Sequence, residues 1–298
     1  MLNENLKRAL HSSTNHQELK DVMEYAVLPA GKLFRPRIVE ALSLDLGEGM
    51  KKHHVHLANA LELHHAYTLV HDDLPSMDND LIRRGKPSTH AAFGEWKAVL
   101  AGDALLISSF EELLKMNHPK VIQLHRLLTW ATGAKGLISG QFLDLKAQGK
   151  ATFLETLRIH ELKTARLIQV ATLGSYLLAS DKIEWRNCID YLRLGREIGV
   201  SFQLLDDLNE LTDKKISEHE KDINPFLTNS EDAFKEIKVS LERLKKIINE
   251  KNLKNLDVML SDYFKKNQEA LLKDMDTLTH HLGLKENREL RDWITTFA

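Results

Sequence analysis

Apolar residues recur at helical spacing along almost the whole chain, and this pattern restricts the fold more than any other feature. Clear examples are the segments 55–74, 164–180 and 190–208. Residues that repeat every three or four positions lie on one face of an α-helix, whereas the alternating runs typical of β-strands are hard to find. Glycine and proline, which interrupt helices, number only 14 and 6 in 298 residues. The sequence therefore predicts an all-α protein with long helices.

Several of these helices are apolar around most of their circumference, which is typical of helices in the middle of a large bundle. No shift in composition, internal repeat or low-complexity linker marks a boundary, so we expect one domain over residues 1–298. After Pro225 the chain becomes rich in Lys and Glu, with Leu and Ile at heptad-like spacing, as in 241–260. We interpret this part as amphipathic surface helices.

Composition and charge exclude several classes of function. A formal net charge of −2 argues against nucleic acid or an anionic membrane as a partner. No apolar run approaches the roughly 18–20 residues of a membrane span. Cys188 is the sole cysteine, which excludes an internal disulfide and a cysteine-based zinc site. The first residues, MLNENLKRALHSS, lack the apolar core of a secretory signal, so we expect a cytoplasmic protein.

The stretch HDDLPSMDNDLIRRG, residues 71–85, concentrates acid and base in one place. It holds four aspartates followed by two adjacent arginines, and a second acidic group, FQLLDDLNE, lies at 202–210. Each group follows a strongly apolar helical run, and carboxylates at the end of a buried helix need a cation. Hard oxygen ligands suit Mg²⁺. The sequence therefore indicates two magnesium sites; the alternative interpretation is a capped helix end with a polar loop.

The spacing inside the first acidic group requires a break in the helix. Asp72 and Asp78 are six residues apart, so on a regular helix they would point about 120° apart. Pro75 cannot sit in a regular helix interior. We therefore expect a local bulge at residues 74–77 that brings Asp78 back to the face of Asp72.

Basic and polar side chains accompany these acids. They lie in AGKLFRP (30–36), directly after the first acidic group, two helical turns before it, and in HELKT (160–164). Each one alone has an ordinary alternative as a loop residue, a core histidine or a surface lysine. Together they describe a cavity with acidic walls, cations at its rim and apolar helices beneath, which suits a metal-bound diphosphate with a hydrophobic tail. The residues are Lys32, Arg35, His65, Arg83, Arg84, Lys163 and Thr164.

These motifs occur in the order found in short-chain trans-prenyl diphosphate synthases, and the chain resembles the bacterial farnesyl diphosphate synthases over about residues 28–227. The resemblance rests on AGKLFRP, the segment 60–90 with its DDxxxxD aspartates, AGDALL, GQFLDL, HELKT and FQLLDDLNE. It implies an isoprenoid synthase fold, which is one helical bundle around a central cavity, and a homodimer. It also implies condensation of isopentenyl diphosphate with dimethylallyl or geranyl diphosphate. The product would be farnesyl diphosphate, with geranylgeranyl or geranyl diphosphate as length variants.

The resemblance also implies a role for each matching residue. Three Mg²⁺ ions, which Mn²⁺ could replace, would be held by Asp72, Asp73, Asp78, Asp206, Asp207 and Glu210. The diphosphates would be bound by Lys32, Arg35, His65, Arg83, Arg84 and Lys221. Lys163, Thr164 and Gln203 would face the ionising carbon and its leaving group, supported by Gln141 and Asp144. The catalytic set would be Asp72, Asp73, Asp78, Arg83, Lys163, Thr164, Gln203 and Asp206.

Product length depends on the pocket below Asp72. Tyr67 lies five residues earlier on the same helix, about 7.5 Å away along its axis. In the resembling family a bulky aromatic residue at this position closes the pocket near the length of farnesyl diphosphate, and Thr68 adds little closure. We therefore expect farnesyl diphosphate as the product.

The chain departs from the family pattern at three places. Leu33 replaces an arginine of the first motif, Glu210 replaces an aspartate, and the segment 211–224 is short, so its lysines, Lys221 among them, have no fixed register against the family. A non-catalytic subunit of a heteromeric synthase therefore stays open as an alternative. A class I terpene cyclase is another alternative, although it would not need the basic residues of AGKLFRP for a second diphosphate.

Overall fold

The computed structural model describes residues 2–147, 151–216, 221, 223–284 and 286–295. Most of these residues are helical, which confirms the predicted all-α fold. One π-helix, Glu161–Ala165, and one antiparallel hairpin, β1 Ile82–Arg83 with β2 Lys86–Pro87, complete the regular structure of the described part.

The helices of the described part are numbered in chain order. The first eight are α1 Leu2–Ser13, α2 Gln17–Val27, α3 Phe34–Leu46, α4 Glu48–Lys51, α5 His54–Asp72, α6 Thr89–Phe93, α7 Glu95–Leu114 and α8 Val121–Thr132. The next four are α9 Leu137–Ala147, α10 Phe153–His160, α11 Arg166–Ala179 and α12 Trp185–Glu210. The last five are α13 Pro225–Thr228, α14 Ser230–Lys251, α15 Lys254–Lys273, α16 Met275–His281 and α17 Arg288–Ile294.

The chain groups into two compact units. The first comprises Met1–Leu127 and Gly174–Ile183, and the second comprises Leu128–Leu173 and Glu184–Ala298. The acidic group at 71–85 belongs to the first unit and the acidic group at 202–210 to the second. The expectation of one domain over residues 1–298 stays a prediction.

In the first unit α5 packs along α7, and leucines such as Leu61 and Leu105 are completely buried between the helices. Gly102 of α7 lets the end of α5 approach closely, because a Cβ at this position would lie 2.1 Å from His71 Nε2. This ring also lies 3.1 Å from the carbonyl oxygen of Val99. The close packing fixes the helix end from which the first acidic group projects.

A buried ionic network stabilises the same helix pair. The carboxylate of Glu112 lies 3.2 Å from His56 Nδ1, accepts a hydrogen bond of 3.2 Å from Asn59, and pairs with Lys115. Burial alone would raise the pKa of the Glu112 carboxyl, but hydrogen bonds from His56, Lys115 and Asn59 outweigh it and hold the pKa below its usual 4.5. The folded protein therefore favours the ionised carboxylate.

We expect Glu112→Gln to lower the free energy of unfolding by about 1–3 kcal/mol at pH 7, because it removes the charge from hydrogen bonds that are buried. Since the carboxyl pKa is depressed in the folded state, this stability is present above pH 4.5 and is lost as the pH falls through the lower folded pKa. Urea unfolding at pH 7 and near pH 3.5 measures both values. A difference between wild type and variant that grows towards acid pH would contradict the assignment.

In the second unit glycines bring α12 close to its neighbours. A Cβ at Gly199 would lie 2.4 Å from Ala165 of the π-helix, and one at Gly195 would lie 2.6 Å from the Cα of Gln169 in α11. Without a side chain at these positions, the backbones approach more closely than larger residues allow. The approach places the polar residues of the π-helix within hydrogen-bond reach of α12.

The predicted amphipathic helices after Pro225 are confirmed. On α14 the buried residues Ala233, Ile237, Leu244 and Ile248 recur at helical spacing, and the lysines and glutamates between them are mostly exposed. Within the described part of the chain, none of the helices is both long enough and apolar enough to cross a membrane.

Candidate active site

The first acidic group begins where α5 ends. The helix stops at Asp72, and residues 74–79 form a tight turn in which the backbone N–H of Asp78 donates to the carbonyl oxygen of Asp72 at 2.9 Å. The expected return of Asp78 to Asp72 is thus confirmed at the level of the backbone. It occurs through a turn beyond the helix, however, rather than through a bulge inside it, because Pro75 cannot continue the helix.

Asp73 points to a different partner. Its side chain is 3% exposed, and its Oδ1 accepts hydrogen bonds from Arg83 Nε at 2.9 Å and Nη2 at 2.5 Å. The same guanidinium donates to Asp80 at 2.8 Å. Burial raises the pKa of the Asp73 carboxyl despite the opposing effect of Arg83. The carboxylate of Asp73 therefore anchors Arg83, while its predicted role as a magnesium ligand stays a prediction.

Arg84 occupies a strained position at the tip of the hairpin. The turn between β1 and β2 consists of Arg84 and Gly85, with φ angles of +54° and +75°. Two consecutive residues with positive φ are typical of a type I′ turn, whose preferred first residue is Asn, Asp or Gly. An arginine in this conformation costs about 1–2 kcal/mol. Such a cost at an exposed side chain suggests that the guanidinium is needed where the turn places it.

The hairpin is attached to the loop that precedes α3. Lys86 donates hydrogen bonds to the carbonyl oxygens of Tyr25 and Leu28 at 2.5 and 2.8 Å. The guanidinium of Arg84 lies so close to Gly31 that a Cβ there would be 2.9 Å from Cζ. Arg84 is thus brought against the AGKLFRP segment, as the sequence predicts for residues that bind one diphosphate.

His65 of α5 lies within the electrostatic reach of three arginines. Burial lowers the pKa of the His65 imidazole well below 6.5, and Arg35, Arg84 and Arg83 lower it further by charge repulsion. The ring is therefore neutral at pH 7 and can donate one hydrogen bond. Arg35 Nε is buried without a hydrogen-bond partner within the described residues. The three arginines Arg35, Arg83 and Arg84, with neutral His65 as a hydrogen-bond donor, supply the charge that a diphosphate requires.

Glu62 and Lys32 belong to the same segments as these cations. Glu62, which is completely buried on α5, was missed by the sequence analysis; burial raises its carboxyl pKa, and Arg35 and Arg84 act in the opposite direction. The position of Glu62, a charged residue inside an apolar helical run, was the sequence signal that could have identified it. Lys32 is exposed beside Leu33, which has a φ of +50° and packs on the apolar core. The departure at Leu33 therefore replaces a charge by an apolar contact.

Tyr67 is buried in the apolar core of the first unit. Its ring meets His64 edge to face at a centroid distance of 4.7 Å and His71 at 5.5 Å. Burial and then the charge of Asp72 raise the pKa of the Tyr67 hydroxyl to about 12, so the phenol is neutral. Thr68 donates to the carbonyl oxygen of His65 at 2.7 Å. The role of Tyr67 and Thr68 in product length stays a prediction.

In the second unit a π-helix presents the predicted catalytic residues. Lys163 pairs with Asp144 of α9 at 2.7 Å. Thr164 donates to Gln203 Oε1 at 2.9 Å, and Gln203 Nε2 donates to Asp207 at 3.0 Å. A π-turn widens the helix and frequently occurs at functional sites. The structure therefore brings together Lys163, Thr164 and Gln203 as predicted, with Asp144 behind the lysine.

These side chains line a cavity of about 220 Å³ within the second unit. Asp207 and Glu210 of α12 line the same cavity, whereas Asp206 does not contribute to its lining. Asp206 acts instead on Tyr263 of α15: burial and then this charge raise the pKa of the Tyr263 hydroxyl. Gln141 of α9 is buried, with both amide atoms lacking a hydrogen-bond partner in the described residues.

The segment 211–224 is shorter than in the resembling family, and the sequence does not indicate which of its lysines closes the site. Residues 217–220 and 222 lie outside the described residues, and Lys221 is exposed. The end of the segment returns to the cavity, where Asn224 donates to the carbonyl oxygen of Asp207 at 2.7 Å and begins α13. Asn224 thus supports the second acidic group, and the sequence analysis did not identify it.

His160 is the third residue that the sequence analysis missed, although it begins the HELKT motif. It lines the cavity, and its Nε2 lies 3.5 Å from Asp207. Burial lowers the imidazole pKa to about 4, with Asp144 and Lys163 acting in opposite directions. The ring is therefore neutral and adds a polar wall without adding charge.

The acidic groups suit Mg²⁺ that is shared with a bound anion. No three acidic or histidine side chains of the described residues form a ready-made metal site. Magnesium typically binds one or two carboxylates and completes its octahedron with water and phosphate oxygens. Asp72 with Asp78, and Asp207 with Glu210, supply such carboxylates, so the donor chemistry fits.

Comparisons with known proteins agree with this geometry. A family model described as polyprenyl synthetase matches residues 16–225. The chain is 36% identical over 246 residues to a farnesyl diphosphate synthase of Bacillus subtilis, covering 77% of this chain and 82% of the relative. It is 36% identical over 243 residues to a geranylgeranyl diphosphate synthase of Cyanophora paradoxa, covering 76% and 80%. A Helicobacter pylori geranyltransferase complexed with magnesium and isoprenyl diphosphate superimposes with a TM-score of 0.75 at 27% identity, covering 89% of this chain and 96% of that one.

Proposed function

The chain belongs to the polyprenyl synthetase family of prenyl transferases, and we propose that it is a magnesium-dependent farnesyl diphosphate synthase. It would join isopentenyl diphosphate to dimethylallyl or geranyl diphosphate. The observation that carries the proposal is the placement of two arginines beside the first acidic group: Asp73 anchors Arg83, and the hairpin turn sets Arg84 against Gly31 of AGKLFRP. Cations for a diphosphate and carboxylates for its metal are thus adjacent along one helix end.

The chemistry begins with cleavage of the carbon–oxygen bond of the allylic substrate, whose electron pair leaves with diphosphate. Bound Mg²⁺ would supply Lewis-acid stabilisation of the developing negative charge. Lys163, which pairs with Asp144 and lines the cavity, brings its positive charge to the leaving group. The Thr164 hydroxyl and the Gln203 amide offer oxygen dipoles that stabilise the allylic cation.

The condensation follows from the same arrangement. The terminal carbon of the isopentenyl double bond attacks the allylic cation, which forms the new carbon–carbon bond and leaves a tertiary cation on the isopentenyl unit. A proton is then lost from C2, the carbon next to that tertiary cation on the diphosphate side, and its electron pair forms the new double bond. We propose the departing diphosphate as its acceptor. Arg35, Arg84 and neutral His65 hold the second diphosphate, and buried apolar helices keep water from the cation. In this proposal an oxygen of the departing diphosphate, rather than a basic side chain of the protein, accepts the proton.

We also propose a homodimer, which the resemblance supports. A cytoplasmic location belongs to the same proposal, because the single cysteine, Cys188, is buried and free, as in a reducing compartment. Geranylgeranyl diphosphate is the second candidate product, because the relatives include synthases of both products. We propose three Mg²⁺ ions per site, with Mn²⁺ as a substitute.

A product assay tests the proposed function. Purified protein with Mg²⁺, labelled isopentenyl diphosphate and, separately, dimethylallyl or geranyl diphosphate should give farnesol after dephosphorylation. We expect Tyr67→Ala to shift the product towards longer alcohols, because it removes the aromatic ring that the resemblance places at the closed end of the substrate pocket, whereas Thr68→Ala should leave the length unchanged. Chromatography against alcohol standards reads out both. Longer alcohols from the wild type would favour a geranylgeranyl synthase, and no elongation from either primer would favour the non-catalytic subunit.

A further inference from the structure

Arg196 of α12 is the centre of an ionic cluster outside the cavity. Its Nε donates to Glu161 at 2.5 Å, and its Nη1 donates to Glu197 at 2.9 Å. Its Nη2 lies 3.7 Å from Glu236 of α14. The side chains of these four residues are only 6–25% exposed. Such partly buried pairs are screened less by solvent than surface pairs, and removal of one partner leaves the others uncompensated.

Glu161 connects this cluster to the catalytic residues. It is the first residue of the π-helix, two and three positions before Lys163 and Thr164. Arg196 lies seven residues before Gln203 on α12, which is two helical turns along the same side. The contact between Arg196 and Glu161 therefore joins the two backbone segments whose side chains meet in the hydrogen bond from Thr164 to Gln203.

The cluster is also tied to the rest of the second unit. Ser240 of α14 donates to the carboxylate of Glu197 at 2.8 Å, and Ser201 donates to Ser240 at 3.1 Å. Both serines are completely buried. Arg196 thus contacts α14 through Glu236 and the π-helix through Glu161. Its guanidinium has a fixed direction, which a flexible surface arginine lacks.

We propose that Arg196 is a positioning residue for the prenyl transfer, which acts by holding the π-helix, through Glu161, at the distance from α12 that catalysis requires. The proposal rests on the proposed function, because it assumes that Lys163, Thr164 and Gln203 contact the leaving group and the cation. A shift of about 1 Å in such groups can cost a factor of a hundred in rate. The residues proposed to hold isopentenyl diphosphate, Arg35, His65 and Arg84, belong to the first unit and are not part of this cluster.

The experiment separates the π-helix contact from the other contacts of the cluster. Glu161→Ala and Arg196→Gln both remove it. Glu236→Ala removes another carboxylate of the same arginine, and Arg158→Ala removes the exposed second partner of Glu161, which lies 3.4 Å away. Arg196→Lys keeps the charge. For all five variants we would measure kcat, both KM values, thermal stability, and hydrogen–deuterium exchange of residues 161–165.

We expect Glu161→Ala and Arg196→Gln to lower kcat by a factor on the order of ten to a hundred, with KM values near those of wild type and faster exchange at 161–165. Glu236→Ala and Arg158→Ala should keep kcat within about a factor of two, and Arg196→Lys should restore part of the loss. A fall in stability without a fall in kcat for Glu161→Ala would overturn the proposal. If the wild type itself transfers no prenyl group, the proposed function fails; unchanged exchange at 161–165 would then separately refute the positioning role.

Discussion

Replacement of Asp72 by asparagine is expected to lower kcat/KM by a factor on the order of a hundred to a thousand. The variant loses the carboxylate charge that would hold Mg²⁺, and the Mg²⁺ would stabilise the negative charge of the departing diphosphate. Asparagine keeps the shape of the side chain, and the backbone bond from Asp78 to the carbonyl of Asp72 is unaffected. The fold should therefore be retained. Steady-state kinetics at several Mg²⁺ concentrations measure the loss and the expected rise in the Mg²⁺ requirement.

The matched control is Asp80→Asn. Asp80 belongs to the same acidic group, but its side chain is half exposed and pairs with Arg83, which keeps its stronger anchor on Asp73. A surface pair of this kind contributes about 0–1 kcal/mol, so we expect a change in kcat/KM below about tenfold. Equal losses in both variants would show that the group acts through its total charge rather than through a metal bound at Asp72.

The acidic motifs could be placed from sequence because apolar periodicity fixes the course of α5 and α12. Asp72 ends a buried run, and Asp207 and Glu210 follow another, so their location depends on helix geometry alone. The tight turn after Asp72 was also accessible, since Pro75 excludes a continuing helix. Periodicity could not assign the individual carboxylates, however. Asp73 differs from Asp72 by one position, and only the fold places it against Arg83.

Features that depend on contacts between distant parts of the chain could not be predicted from the sequence pattern. The π-helix at Glu161–Ala165 shows no local signature, and two of its side chains pair with residues distant in sequence: Glu161 with Arg196 and Lys163 with Asp144. The left-handed conformation of Arg84 likewise contradicts local preference, which places glycine or asparagine there. Such conflicts between local preference and the fold are expected at functional sites.

Substitution of Arg84 by asparagine should move stability and substrate binding in opposite directions. The variant has the Asn-Gly pair that a type I′ turn prefers, so relief of the left-handed strain should raise the free energy of unfolding by up to about 1 kcal/mol. Loss of a guanidinium that donates charge-assisted hydrogen bonds should cost binding about 3 kcal/mol, which raises the KM for isopentenyl diphosphate on the order of a hundredfold. The KM for the allylic substrate should change little, because Arg83 remains on Asp73.

Arg84→Lys is the matched comparison, because it keeps both the charge and the strained φ of +54° at this position. It should leave stability unchanged and lose only part of the affinity, since an ammonium cannot form the planar bidentate contact of a guanidinium. Urea unfolding, kinetics with each substrate varied, and calorimetric binding of inorganic diphosphate give the three readouts. If Arg84→Asn destabilises the hairpin, the strain argument is wrong. If it binds diphosphate as the wild type does, Arg84 serves the contact with Gly31 and the AGKLFRP segment rather than a substrate, and the second diphosphate must be sought elsewhere.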